Sequence, residues 1–221
     1  MGLEKGDKTY LVVGVDESNH ISELDVNRKE IVAATFSRDA NDGNYKAYSN
    51  RRDDKRLDLL REWMQQSGRD YRFATITNPE IRKFQPIAAV VTVPLIRGYI
   101  SYLKSANREV PSNLRLFVDG ILSEEHREYM RNAFSEDFET VMVRNLIKRD
   151  RISAARRKGR KLVGPRVIEI ADILSHELSC GMDYDQTPLS REQLRDHQKR
   201  IILDEKSILE AIGEEIAKRG N

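Results

Sequence analysis

The chain of 221 residues holds one cysteine, Cys180, and one tryptophan, Trp63. A single thiol excludes an internal disulfide and a cysteine-rich zinc site, and it fits a reducing compartment. Cys180 sits in an apolar helical pattern and reads as a core residue rather than a nucleophile. An excess of one charge is lacking too: 38 basic residues stand against 36 acidic ones, a formal net of +2. That balance names no partner, so any case for one rests on where the charges fall. No apolar run approaches the ~20 residues that cross a bilayer. The opening MGLEKGDK has no apolar signal region, and Gly2 is a poor myristoylation signal because position 6 is Gly rather than Ser or Thr. A cytoplasmic protein with no membrane partner is expected. No internal repeat or low-complexity tract is found.

What is present begins with residues 10–19, YLVVGVDESN. Leu11, Val12, Val13 and Val15 suit a pleat covered on both faces, and Gly14 stands where a side chain would be in the way. A buried central strand is predicted, ending in the adjacent carboxylates Asp16 and Glu17. Strand neighbours point to opposite faces, so these two serve one site only if the chain turns there or a ligand lies at the strand end. The plainer reading of Asp16 is a turn cap with Ser18 and Asn19.

Residues 30–37, EIVAATFS, form a second strand, most simply joined to the first as a hairpin. Asn41, Asp42 and Gly43 signal a turn, and 45–49, YKAYS, a short third strand. From 53 to 66, Leu57, Leu60, Trp63 and Met64 recur at helical spacing before Ser67 and Gly68 close the helix, which makes Trp63 a packing anchor. YRFATIT (71–77) alternates as a strand. A helical region from 78 to about 106 contains Pro86 and Pro94, predicting two segments or a kink. Its uncharged run before Arg97 points to a helix buried at the centre of the fold. LRLFV (114–118) is a strand ending at Asp119 and Gly120. Residues 123–134 form a helix with Ser123 as cap and Glu124 and Glu125 in its first turn. Residues 140–143 are a short strand.

The last helix of this series, 165–178, places Val167, Ile170, Ala171 and Leu174 inward and also carries Glu169 and Asp172. After a break at Thr187 and Pro188, residues 189–219 are a long amphipathic helix candidate. Ile201, Ile202, Ile208, Leu209, Ile212 and Ile216 cover one side of it. It either packs on the parent domain or makes a homodimer. The expected organisation is a domain over 1–185 and a C-terminal helix over 186–221. The expected class is α/β: an antiparallel hairpin, then parallel strands alternating with flanking helices in one mixed sheet.

In such a sheet, ligands gather at the carboxyl ends of strands. Two ends carry acids: Asp16 with Glu17, and Asp119. GVDESN followed by EIVAA resembles the first hairpin of type 2 ribonuclease H, whose opening strand ends in an Asp-Glu pair. VDG at 118–120 is similar to that family's next acidic strand end, and FVDGILSE to the matching strand of Argonaute Piwi domains, which share the fold. IADILSHEL resembles the closing motif of an uncharacterised ribonuclease H-like family that opens with DES and ends with an ADLL-type helix. These matches span about residues 10–180, and their order carries more weight than any one motif.

The resemblance implies a ribonuclease H-like fold and a metal-dependent nuclease acting on RNA, DNA or a hybrid. Two Mg2+ or Mn2+ ions would be held by Asp16, Glu17, Asp119 and Asp172, with Asp16 bridging both. Glu169, three residues earlier, is the understudy for Asp172. The residue types suit this chemistry, since hard cations want carboxylate oxygens and acids so crowded repel one another without them. Ser18, Asn19 and His20 replace the glycine and arginine with which type 2 enzymes read the ribose, so the resemblance speaks for fold and metals more than for a hybrid substrate. The bland readings are a turn aspartate for Asp119 and a helix-face charge for Asp172.

Charge distribution adds a second line. Arg144, Lys148, Arg149, Arg151, Arg156, Arg157, Lys158, Arg160, Lys161 and Arg166 make ten basic residues against one acid, Asp150. Phosphate binding is the natural use of such a stretch, a solvated loop the plain alternative. His176, four residues beyond Asp172, is a candidate to hold a water or metal, and His20 to shuttle a proton or touch a phosphate, against a surface role for each. His126 and His197 fall in charged helices and need no function. Other classes remain: a non-catalytic nucleic-acid binder of the same fold, with acids too far apart for two metals, or a structural subunit. No GxGxxG follows the first strand and no glycine-rich phosphate loop is present, which disfavours a Rossmann dehydrogenase and a sugar-kinase or actin-like ATPase.

Overall fold

A computed structural model describes residues 8–18, 30–49, 54–76, 87–120, 122–146, 161–179 and 200–201. β1 (Tyr10–Ser18) and β2 (Glu30–Ser37) pair antiparallel, with Val15 opposite Ala34 and Ser18 opposite Ile31. A 3-10 turn (Ala40–Gly43) and β3 (Tyr45–Ser49) follow, then helix α1 (Asp54–Gln65) and β4 (Arg69–Ile76), antiparallel to β2. Helix α2 (Ile87–Ser105) leads to β5 (Asn113–Asp119), and helix α3 (Glu124–Ala133) to β6 (Thr140–Leu146). β7 (Lys161–Pro165) runs directly into helix α4 (Arg166–Ser179), and Arg200–Ile201 make a two-residue β8.

The main sheet has the order β6-β5-β1-β2-β4-β8, and β3 and β7 form a separate two-stranded ribbon. β5 is parallel to β1, β6 to β5 and β8 to β4. With β4 and β1 both antiparallel to β2, the sheet is mixed, β2 alone running against the rest. The α/β class and mixed sheet read from the sequence are what forms.

Period-2 alternation divides the core. Leu11, Val13 and Val15 of β1 join Val32, Ala34 and Phe36 of β2 and Leu114, Leu116 and Val118 of β5 under α2 and α3. Val12, Ile31, Ala33 and Phe117 point the other way and pack with Trp63 of α1 and with Val167, Ile168, Ile170, Ile173 and Leu174 of α4. Trp63 is an anchor, as its spacing implied, with Arg69 lying 4.7 Å over its ring.

α2 runs as one helix across Pro94. An interior proline costs about 3 kcal/mol. Burial of Val91, Val93, Leu95, Ile96, Tyr99, Ile100 and Leu103, at roughly 1.5–3 kcal/mol for each large apolar side chain, outweighs it. Pro86 lies outside the described residues. α3 begins as expected at Ser123, whose hydroxyl accepts from the His126 N–H at 3.2 Å. The His126 side chain completes a capping box, accepting from the Ser123 N–H at 3.3 Å, a use for this histidine that its charged neighbourhood did not announce.

Two expectations change. β7 forms where a solvated loop was the plain reading, and β3 pairs with it rather than joining the one mixed sheet; Tyr45 faces Pro165 and Ser49 faces Lys161. Neither strand has the alternation of a core strand, because their ribbon is not part of the main sheet. Arg200 and Ile201, expected inside the long C-terminal helix, pair instead with Phe73 and Ala74 of β4. Without them β4 would present unpaired backbone groups at that point of the sheet edge, and pairing there outweighs helical propensity. The described pair is therefore strand where helix was expected. The rest of that stretch, with its expected dimer face, lies outside the described residues, as does Cys180. No described helix is long and apolar enough to cross a membrane.

Candidate functional site

The order of the sheet creates the site. From β1 the chain builds outward through β2 and β4, then crosses over by α2 and builds β5 and β6 on the other flank. The direction of winding reverses between β1 and β5, and ligands in open α/β sheets bind in the crevice outside the carboxyl ends of such strands. Asp16 and Asp119 lie at those two ends. The last ladder pair between the strands is Val15 with Val118, so one further step along the same register sets Asp16 beside Asp119.

Both acids project toward α4. Asp16 follows Val12 and Gly14 on that face, and Asp119 follows Phe117. Glu17 does not share it. β1 stays paired through Ser18, and Glu17 sits opposite Val32, which belongs to the core under α2. The chain makes no turn between the two carboxylates, so alternation carries Glu17 to the opposite face of the sheet. This also removes Asp16 as a turn cap, because it is an interior strand residue.

Helix α4 supplies the third acid, and its position is fixed closely. Gly14 lets it approach: a β-carbon there would stand 2.4 Å from the Val167 carbonyl carbon and 2.7 Å from the Ile168 nitrogen. The buried Thr35 hydroxyl donates to the Val167 carbonyl at 2.7 Å, tying the start of the helix to β2. Two turns on, the Ser175 hydroxyl, 1 % exposed, lies 3.4 Å from Asp16 Oδ2 and 3.3 Å from the Asp172 carbonyl oxygen. Its single proton serves one of them at a time. Ser175 thus joins the strand that carries Asp16 to the helix turn that carries Asp172. Reading the sequence for charged residues missed it; its signal is a small polar residue three positions after Asp172 on an otherwise apolar helix face.

Asp16 is buried, and Asp119 and Asp172 are half-buried. Glu169, the understudy, is buried but held by Arg166 on its own helix at 2.5 Å. His176 is exposed and turns to Glu177, at 3.7 Å. Of the basic candidates, Arg144 stands exposed on β6 beside Phe117, on the same sheet face as Asp119. Lys161 opens β7. Lys148, Arg149, Arg151, Arg156, Arg157, Lys158 and Arg160 lie outside the described residues, as do His20 and His197.

No family model matches the chain, and no curated protein matches it. Its own geometry has to carry the chemistry. An all-oxygen set of Asp16, Asp119 and Asp172 suits a hard divalent cation. Among the described residues no three acidic, histidine or cysteine side chains are gathered closely enough to hold a metal ion as they stand.

Proposed function

We propose that the chain is a ribonuclease H-like, metal-dependent nuclease that hydrolyses phosphodiester bonds in RNA or DNA. The observation that carries the reading is the placement of Asp16 and Asp119 at the same level and on the same face of adjacent parallel strands, under the helix bearing Asp172. The sheet supports it further: a central first strand, an antiparallel second and parallel later strands are what the sequence resemblance implies.

Asp16, Asp119 and Asp172 would hold Mg2+ or Mn2+, which supplies an activated water and a counter-charge for the leaving oxygen. Asp16, on β1 next to β5 and under α4, would be the central ligand. Ser175 orients its carboxylate by donating to Oδ2. Arg144, beside Phe117 and two strand positions before the level of Asp119, meets the phosphate backbone. Glu17 joins such a site only through a ligand lying across the strand end.

The test is hydrolysis of labelled single-stranded RNA, single-stranded DNA, duplexes and hybrids by the full chain in Mg2+ or Mn2+. Asp16→Asn is expected to abolish cleavage with the fold intact; equal cleavage by that variant refutes the assignment. The ungathered carboxylates favour a second reading, a nucleic-acid-binding protein of the same fold without catalysis. Under it the wild type binds nucleic acid and no metal supports cleavage.

A further inference from the structure

Beyond the three acids, the α4 side of the sheet carries a feature the proposed chemistry does not use. Tyr45 is the one large apolar side chain left exposed among the described residues, at 47 %. It is not simply loose on the surface. The preceding 3-10 turn is pressed onto the sheet, for a β-carbon on Gly43 would meet Val12 at 3.1 Å and Phe117 at 3.3 Å. The Tyr45 ring then meets Phe117 edge-on, with centroids 6.3 Å apart and planes at 74°. The β3–β7 ribbon fixes its backbone from the other side, opposite Pro165. One aromatic ring is thus held by another with much of its surface turned to water.

Its neighbourhood gives that ring a use. Phe117 is two residues before Asp119, about 6.6 Å along the strand. Across the sheet from Phe117 is Arg144, exposed and on the same face. An aromatic platform, a guanidinium and a candidate catalytic carboxylate therefore lie within two strand positions of one another. Stacking of a base on a tyrosine needs that base unpaired, whereas a phosphate contact from arginine is indifferent to pairing.

We propose that Tyr45 and Arg144 form a subsite for single-stranded nucleic acid, Tyr45 stacking on an unpaired base next to the bond presented to Asp119 while Arg144 holds the adjoining phosphate. The inference rests on the nuclease reading and names its substrate as a single strand or an unpaired end. Tyr45 acts through the π-face of its ring, so phenylalanine replaces it and alanine does not. Arg144 acts through its charge and sets part of the salt dependence.

The experiment uses the cleavage-deficient full chain, Asp16→Asn, in Mg2+, titrated with fluorescent single-stranded and duplex RNA and DNA oligonucleotides at several salt concentrations. Added Tyr45→Ala is expected to weaken single-strand binding roughly five- to hundredfold, and Tyr45→Phe to retain it. Arg144→Ala is expected to lower the salt slope by about 0.7. Unfolding curves matching the parent keep these readings free of misfolding. Single-strand binding unchanged by Tyr45→Ala, or tighter binding of duplex than of single strand, overturns the subsite and leaves the nuclease reading standing. Absence of binding to every oligonucleotide overturns both.

Discussion

Gly14→Ala is the sharpest test of how β1 and α4 fit together. The added carbon would sit 2.4 Å from the Val167 carbonyl carbon and 2.5 Å from its oxygen, where ordinary contact begins near 3.4 Å. These are backbone atoms on a buried helix, so no rotamer change relieves the clash; α4 must withdraw by about 1 Å, the difference between those distances. Overpacking of a full core typically costs 1–3 kcal/mol, and the rigid partner puts this case at the upper end, about 3 kcal/mol. With a urea m-value of about 2 kcal/mol/M the unfolding midpoint falls by about 1.5 M. Withdrawal also disturbs the Thr35 bond to Val167 and stretches the Ser175 contact to Asp16, already 3.4 Å. Equilibrium urea unfolding followed by circular dichroism is the assay. A midpoint equal to that of the wild type would show that α4 does not rest on Gly14, and the argument placing Asp172 near Asp16 would go with it.

Three other perturbations probe the scaffold away from the acids. Asp42 is buried and accepts from Ser37 Oγ at 2.6 Å and from Arg69 at 2.8 and 3.0 Å. Asp42→Ala leaves the largely buried Arg69 guanidinium only Asp39, at 3.8 Å and half-exposed, and is expected to cost about 3 kcal/mol by chemical denaturation, the lower end for breaking a buried pair. Adding Arg69→Met should recover part of that loss. Ser123→Ala removes the α3 cap and should cost about 1 kcal/mol, with no change in activity. Tyr99, stacked on Phe36 at 4.1 Å, has its phenol raised from 10.0 to about 12, first by burial and then by Asp70. Its folded state keeps the proton that the unfolded chain gives up near pH 10, so its contribution is intact below pH 10 and declines as pH rises toward 12. Ultraviolet titration should show a late-ionising tyrosine signal that is lost in Tyr99→Phe.

Much of this architecture was readable in the residues. Leu11, Val12, Val13 and Val15 predict a strand covered on both faces, and that strand lies at the centre. Gly14 was expected where a side chain would intrude, and α4 is what it would strike. Ser123, Glu124 and Glu125 mark the start of α3 because capping is a local event. Register is not local. Whether Asp16 meets Asp119, and on which face Glu17 ends, follows from β1 lying between β2 and β5, a long-range pairing no single motif encodes. β7 and β8 were missed for a related reason: Lys161–Pro165 carries Gly164 and Pro165, which read as loop, Arg200–Ile201 is only two residues long, and their partners, β3 and β4, decide their conformation. Ser175 escaped notice because a serine on an apolar helix face acquires a role only when a carboxylate from another strand lies against it.

Asp16, Asp119 and Asp172 are proposed to take up a divalent cation in common. Anomalous diffraction from crystals of the full chain grown with manganese addresses it directly. Anomalous density is expected between the carboxyl ends of β1 and β5, within coordination distance of all three carboxylates and lost in Asp16→Asn. Density elsewhere, or three carboxylates still apart at saturating manganese, would contradict it.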